Sequence, residues 1–319
     1  NLIISSHIFF IFHNSSHTHS LKMNSPLYNI GDCIGNGAFG DVFIGTCKAS
    51  KKDVALKCIP LDTKQKQKSF AREVKALREL RDSPYIVQIK DTLIQNKVGI
   101  IVTELCKCNL FEYITSHTLS QSEKQEIFKQ VCYAVKSCHD HNIAHLDIKP
   151  GNILIDESGN VKLCDFGSSY LWSNDEPLTD KLTGTQAYQA PEVIGEQNYS
   201  PSLADSWTLG VLLHIILTNQ VPFGRDKINI KISSSIKDHD AKDLITSLLQ
   251  IRPHKRLQIN EILNHKYINN QKEHLTVPLK EFNHHHEEKS QKKEGYARLV
   301  RARSVIAEVM KFISSKKTM

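Results

Sequence analysis

The chain has 319 residues, of which 40% are hydrophobic and 24% charged, with a formal net charge of +7. It is long enough to bury one or two substantial cores, and its composition is that of an ordinary globular protein rather than a fibrous or wholly disordered one. The charge does not describe the body of the chain: residues 289–319 carry nine Lys/Arg against Glu294 and Glu308, which accounts for the whole excess, leaves 1–288 neutral and argues against nucleic acid as a partner.

The chain starts at Asn1. Its apolar run Ile8–Phe12 has no basic residue before it and is too short to span a bilayer. The expectation is that Met23 is the true start and that residues 1–27 are a leader, disordered or not translated. No other stretch reaches membrane-spanning length, so no stable membrane insertion is expected. The eight cysteines are scattered, and Cys106 with Cys108 has no second pair to complete a zinc site. Reduced thiols in a cytoplasmic, or alternatively nuclear, protein are expected.

From Tyr28 to Val102 the pattern is rich in strands with one helical interruption. Ile30–Ile34 and Asp41–Thr46 flank a glycine turn, and Val54–Ile59 is a short apolar strand. Ser69–Arg81 has helical spacing that puts Phe70, Val74, Leu77 and Leu80 on one face. Val87–Ile94 and Val98–Val102 read as strands joined by Gln95-Asn96-Lys97. Helices dominate after Leu110, at Ser122–His141, Pro201–Thr218, Ala241–Gln250 and Ile259–His265. Strands followed by helices indicate an α+β fold of two lobes, with the junction at Thr103–Lys107.

Between the first two strands stands Gly35-Asn36-Gly37-Ala38-Phe39-Gly40-Asp41-Val42. Glycines there let backbone N–H groups approach phosphate oxygens. The spacing alone also serves dinucleotide-binding turns, but those lead into a helix, and here a strand follows. Lys57, among the apolar residues of Val54-Ala55-Leu56-Lys57, would be costly to bury unpaired, and Glu73 on the next helix is its expected partner. His145-Leu146-Asp147-Ile148-Lys149-Pro150-Gly151-Asn152 is followed by Asp165-Phe166-Gly167. These place an acid, a lysine, an amide and a second acid in one order.

Together these motifs resemble the eukaryotic protein kinases over about residues 28–268. The resemblance implies a small β-rich N-lobe, a larger helical C-lobe, and transfer of the γ-phosphate of ATP to Ser/Thr hydroxyls of a protein substrate. It makes Asp147 the catalytic acid that takes the hydroxyl proton, with Lys149 on the transferred phosphate and Lys57 with Glu73 anchoring the nucleotide phosphates. Asn152 and Asp165 become ligands of Mg²⁺. It assigns Ile34, Gly35, Gly37, Gly40, Val42, Ala55, Lys57, Thr103, Glu104, Cys106 and Leu154 to ATP binding, with Thr103 as gatekeeper. Gly184–Glu192 resembles the end of the activation segment, Asp205 the residue that holds the catalytic loop, and Arg256 the partner of Glu192. Because Lys57, Asp147, Asn152 and Asp165 are all present, an active enzyme is favoured over a pseudokinase scaffold. The intact activation-segment motif disfavours a small-molecule kinase.

Three departures stand out. Leu146 replaces the family's arginine, which pairs with a phosphorylated activation loop, so activity is expected not to depend on phosphorylation through that contact. Alanine at Thr179, Thr183, Ser168 or Ser169 is therefore expected to leave activity largely intact. Gly151 and Asn109 stand where arginine-directed kinases carry acids, so a strong preference for upstream arginine is not expected. The stretch from Phe223 to Leu244 is short for the family. Subgroup stays open between a calcium/calmodulin-dependent-like and a Mos-like kinase. Residues 269–319 form a basic tail. Within it, 296–313 can make a basic amphipathic helix suited to calmodulin, to a membrane surface or to an autoinhibitory contact, against a docked helix or a disordered tail.

Overall fold

The computed structural model describes residues 25–269 apart from 38–39, 176–177, 180–182, 196–197 and 224–228. The leader before Ser25 and the 296–313 segment lie outside the described residues.

The N-terminal part is a five-stranded antiparallel sheet in the order β1-β2-β3-β5-β4. Its strands are β1 (Tyr28–Asn36), β2 (Asp41–Cys47), β3 (Asp53–Pro60), β4 (Ile89–Gln95) and β5 (Val98–Glu104). The turn between β4 and β5 puts Asn96 and Lys97 at φ 50° and 62°, the paired left-handed residues that a tight hairpin matching strand twist requires. Alternation along β3 sends Val54, Leu56 and Cys58 into a small core with Tyr28, Ile100 and Val102. Ala55, Lys57 and Ile59 therefore face the other way, and Ile59 joins the main core of the molecule. That parity puts the lysine where its charge can be used.

Helix α1 (Lys64–Glu79) begins earlier than its apolar pattern predicts, because Thr63 caps it by accepting from the Lys66 N–H. Its most buried positions also differ from the expected face. Ser69, Glu73, Ala76 and Leu77 are buried, and Leu80 follows just beyond the helix end. Phe70 and Val74 are half-buried and line an open groove of about 540 Å³ with Leu61 and Ile94. Two polar residues thus occupy the inner face because that face meets the site rather than a core.

After the junction come β6 (Cys108–Asn109), α2 (Leu110–Ser116), α3 (Gln121–Asp140), β7 (Ile143–Ala144), β8 (Ile153–Ile155), β9 (Val161–Leu163) and β10 (Tyr170–Leu171). These strands were not predicted; two or three residues are too short to show a period. They make two small antiparallel pairings, β6-β8-β9 and β7-β10. The chain then forms α4 (Pro191–Gly195), α5 (Pro201–Thr218), α6 (His239–Leu248), α7 (Ile259–Asn264) and α8 (Lys266–Asn269). Helix α5 has the expected limits, set by the Ser200 cap, Pro201 in its first turn and a left-handed Asn219 at its end. It is apolar on all sides because it is buried on nearly all sides. No described helix is long and apolar enough to cross a membrane.

Between α5 and α6 no helix occurs among the described residues. The connection is tied back by His214 of α5, whose Nδ1 bonds the Gln220 carbonyl at 2.7 Å while its Nε2 accepts the Ser233 N–H at 3.2 Å. None of the eight cysteines is in a disulfide.

The Arg256 guanidinium is buried on a Glu192 carboxylate, with Nη2–Oε2 at 2.7 Å and the Trp207 ring 5.0 Å from its Cζ. Removing one partner of such a pair leaves the other charge buried alone. Arg256→Met is expected to lower unfolding free energy by about 3–5 kcal/mol in urea denaturation. A loss below about 1 kcal/mol, the value of an exposed pair, would contradict this reading.

Candidate active site

Lys57 sits at the meeting point of the sheet, α1 and the turn after β9. Its Nζ donates to both Glu73 oxygens and to Asp165 Oδ1, each at 2.7 Å. Burial works against the ammonium, but the Asp165 and Glu73 charges and hydrogen bonds outweigh it and raise its pKa. Burial also works to raise Asp165, yet the Lys57 charge and hydrogen bond prevail and hold that carboxyl at about 2. Glu73 is moved the other way: burial lifts it to about 7, opposed by Lys57 and reinforced by Asp165. One lysine shared by two carboxylates favours ionisation of the more accessible one. Asp165 is thus the acid that Lys57 holds lowest.

Asp165 has φ 65° and ψ 69°, a left-handed conformation uncommon outside glycine. The next four residues hold it there. Phe166 is fully buried, edge-on to His145 with ring centroids 4.8 Å apart. Ser169 bonds back to the Phe166 carbonyl through its N–H at 3.1 Å and its hydroxyl at 2.7 Å. Ser168 and Ser169 are both buried in this turn, and Ser169→Ala removes one of its ties.

The second cluster surrounds Asp147. Lys149 Nζ donates to its Oδ2 at 2.7 Å, Asn152 Nδ2 to the same oxygen at 2.9 Å, and the Thr185 N–H to Oδ1 at 2.8 Å. Lys149 also reaches the Thr185 hydroxyl at 2.7 Å. Asn152 Nδ2 donates again to the Asp147 carbonyl at 2.8 Å, which fixes the amide and turns its Oδ1 away as a candidate ligand atom. The loop hangs from Asp205 at the start of α5. That fully buried carboxylate accepts the N–H groups of His145 and Leu146, both at 2.8 Å, and meets His139 Nε2 at 3.0 Å. These bonds compensate for Leu146, which stands at φ 61°. Gly184, at φ 89°, passes so close that a Cβ there would lie 2.2 Å from the Leu146 carbonyl oxygen. Only glycine satisfies both conditions.

The strands carry the residues expected at the nucleotide in fixed register. Gly35 pairs with Val42, Val42 with Lys57, and Ala55 with Thr103. The Gly37 N–H bonds the Gly40 carbonyl at 2.8 Å, which closes the turn after Ile34; Ala38 and Phe39 lie outside the described residues. Leu154 on β8 pairs with Asn109 and Lys162. The Glu104 side chain accepts from the Gln88 N–H at 2.9 Å and lies 3.4 Å from Lys162 Nζ. Lys162, nearly buried on β9, gave no signal in the sequence. Burial pushes the Cys106 thiol to about 12 and the Cys164 thiol well up, so both remain neutral small groups.

Leu146 has no guanidinium to offer a phosphate. Its side chain packs among Thr183, Gln189, Ala190, Val193, Tyr199, Ala204 and Thr208, around a residual void of about 10 Å³. Gln189, also missed in the sequence, donates to the Thr183 carbonyl at 2.6 Å. Thr179 and Tyr199 exchange two backbone bonds of 2.9 Å.

A lysine clasped by two acids, beside a third acid held by a second lysine and an amide, is the arrangement of a nucleotide-dependent phosphotransferase. The chain belongs to the protein kinase family: the protein kinase domain family matches residues 28–268. It is similar to NUAK family SNF1-like kinase 1 of Homo sapiens, 33% identical over 266 residues, which cover 79% of this chain and 40% of that protein. It is similar also to the carbon catabolite-derepressing protein kinase of Saccharomyces cerevisiae, 34% identical over 249 residues covering 74% of this chain and 39% of the relative. Serine/threonine-protein kinase SIK2 of Gallus gallus is 33% identical over 260 residues, 76% of this chain and 32% of its own length. The chain thus spans about two fifths or less of the length of these relatives.

Because the Lys57 charge holds Asp165 at about 2, Lys57→Met is expected to return that carboxyl to the ordinary range of about 4 or above. Carboxyl-carbon NMR titration reads this directly, and an unchanged midpoint would show that Lys57 does not set it.

Proposed function

We propose that this chain is an active protein serine/threonine kinase that transfers the γ-phosphate of ATP to protein hydroxyls. The observation that carries the reading is the assembly of both clusters without a missing member. Lys57 with Glu73 and Asp165 forms one, and Asp147 with Lys149, Asn152 and Thr185 forms the other. Asp147 orients the acceptor hydroxyl and takes its proton, while Lys149 neutralises charge on the transferred group. The ionised Asp165 and the fixed Asn152 amide offer two oxygens, a donor set that suits Mg²⁺, which takes its remaining ligands from water and phosphate. When bound, the ion neutralises phosphate charge. Lys57 holds the phosphates, and the β1–β2 glycine turn covers them. The Lys149–Thr185 bond supports a Ser/Thr acceptor.

Loop phosphorylation is not required through position 146. The neutral packing around Leu146, the Gln189 bond and the Thr179–Tyr199 bridge support this. The Asn109 side chain caps α2 by accepting the Glu112 N–H at 2.9 Å, so it is occupied structurally and does not read substrate charge. A calmodulin or autoinhibitory contact through 296–313 is a reading of sequence alone.

Radiolabelled ATP with a peptide library tests the proposal. Wild type is expected to label Ser/Thr peptides without dominant upstream arginine, and Asp147→Asn to lose about 10²–10⁴-fold in kcat. Wild type that binds ATP and transfers nothing would replace the enzyme with a scaffold. Thr183→Ala is expected to keep kcat within about threefold, since Leu146 offers no cation to a phosphate there; a larger loss would overturn loop independence.

A further inference from the structure

Helix α1 reaches the Asp165–Gly167 turn in two ways. One is the ion pair through Lys57. The other is a backbone grip: the Ser69 hydroxyl and the Arg72 guanidinium both donate to the Gly167 carbonyl, at 3.1 Å and 2.7 Å. Positions 69, 72 and 73 share one helix face by their spacing, so the two donors and Glu73 act from the same side. The fit is close, since a Cβ on Gly167 would lie 2.7 Å from Ser69 Oγ. Ser69 is buried, and desolvation lowers the Arg72 pKa. The carbonyl is the partner that this half-buried guanidinium has among the described residues.

The two links differ in what nucleotide does to them. Phosphates compete for Lys57, and a cation competes for Asp165, so the Lys57–Asp165 bond weakens when the site is loaded. The Gly167 carbonyl is engaged by neither. We propose that Ser69 and Arg72 are positioning residues that keep the metal-binding turn fastened to α1 when the lysine is drawn to phosphate. The proposal rests on the kinase reading and adds residues the sequence motifs do not include. It also explains how α1 stays docked without a phosphorylated loop: the grip needs only a backbone oxygen, two residues beyond Asp165.

Arg72→Met, Arg72→Lys and Ser69→Ala, in the full chain, test it with two readouts. Hydrogen exchange with a non-hydrolysable ATP analogue and Mg²⁺ bound is expected to rise about tenfold at the 165–169 amides in Arg72→Met, and less without nucleotide, where the Lys57–Asp165 bond still holds the turn, with the rest of the chain and the melting temperature little changed. In the kinase assay, kcat is expected to fall about tenfold with KM for the acceptor peptide unchanged, Arg72→Lys to recover most of it, and Ser69→Ala to show a smaller loss. Exchange and kcat both within about twofold of wild type would overturn the proposal. So would a rise in exchange spread over the whole chain with a large drop in melting temperature, which marks a structural role only. An inactive wild type in which exchange still responds locally would overturn the kinase reading and leave the grip standing.

Discussion

A lysine ammonium taken out of water must find opposite charge, and everything near the centre of this molecule is arranged so that Lys57 does. The parity of β3 points Lys57 away from the small core containing Val54, Leu56 and Cys58. Helix α1 must then dock with Glu73 inward, and the turn after β9 must bring Asp165 from 108 residues away in sequence. Meeting these conditions at once defines where the two lobes touch. The Lys57 charge holds Asp165 low, while burial raises Glu73 against the same charge.

The catalytic loop obeys a second constraint. Leu146 is held left-handed, a conformation that costs about 1–2 kcal/mol for an ordinary residue. Two N–H bonds to Asp205 offset that cost. The turned carbonyl then leaves room only for Gly184, and Thr185 arrives on Asp147 as a result. Among the described residues, Leu146 meets the stretch around Thr183 and Gln189 through backbone shape and apolar packing. Asp165 and Leu146 depart from ordinary backbone geometry and lie beside the two side-chain clusters, and each has identifiable contacts holding it.

Much of this was legible in the sequence because it depends on spacing. Strands β1 to β5, the limits of α5 and the paired motifs around Asp147 and Asp165 come from period, caps and order of residue types. Asp205 and Arg256 were found through resemblance and stand on their expected partners. The inner face of α1 was misjudged because apolar periodicity looks for a core, while Ser69 and Glu73 point at a site. Arg72 is not marked by any sequence motif, because its partner is a carbonyl 95 residues on, and backbone oxygens carry no sequence signal. Gln189 escaped for the same reason, and Lys162 because its carboxylate partner, Glu104, is brought near only on folding. The short strands β6 to β10 owe their pairing to the elements around them.

The central claim is that this site is assembled without a phosphate. The most direct test is the initial rate of phosphoryl transfer by chain prepared phosphate-free, with intact mass confirming it, against the same chain preincubated with ATP. The account predicts linear product formation from the first seconds, at a rate within about twofold of the preincubated sample. A lag that ends only as phosphate enters the activation segment would contradict it.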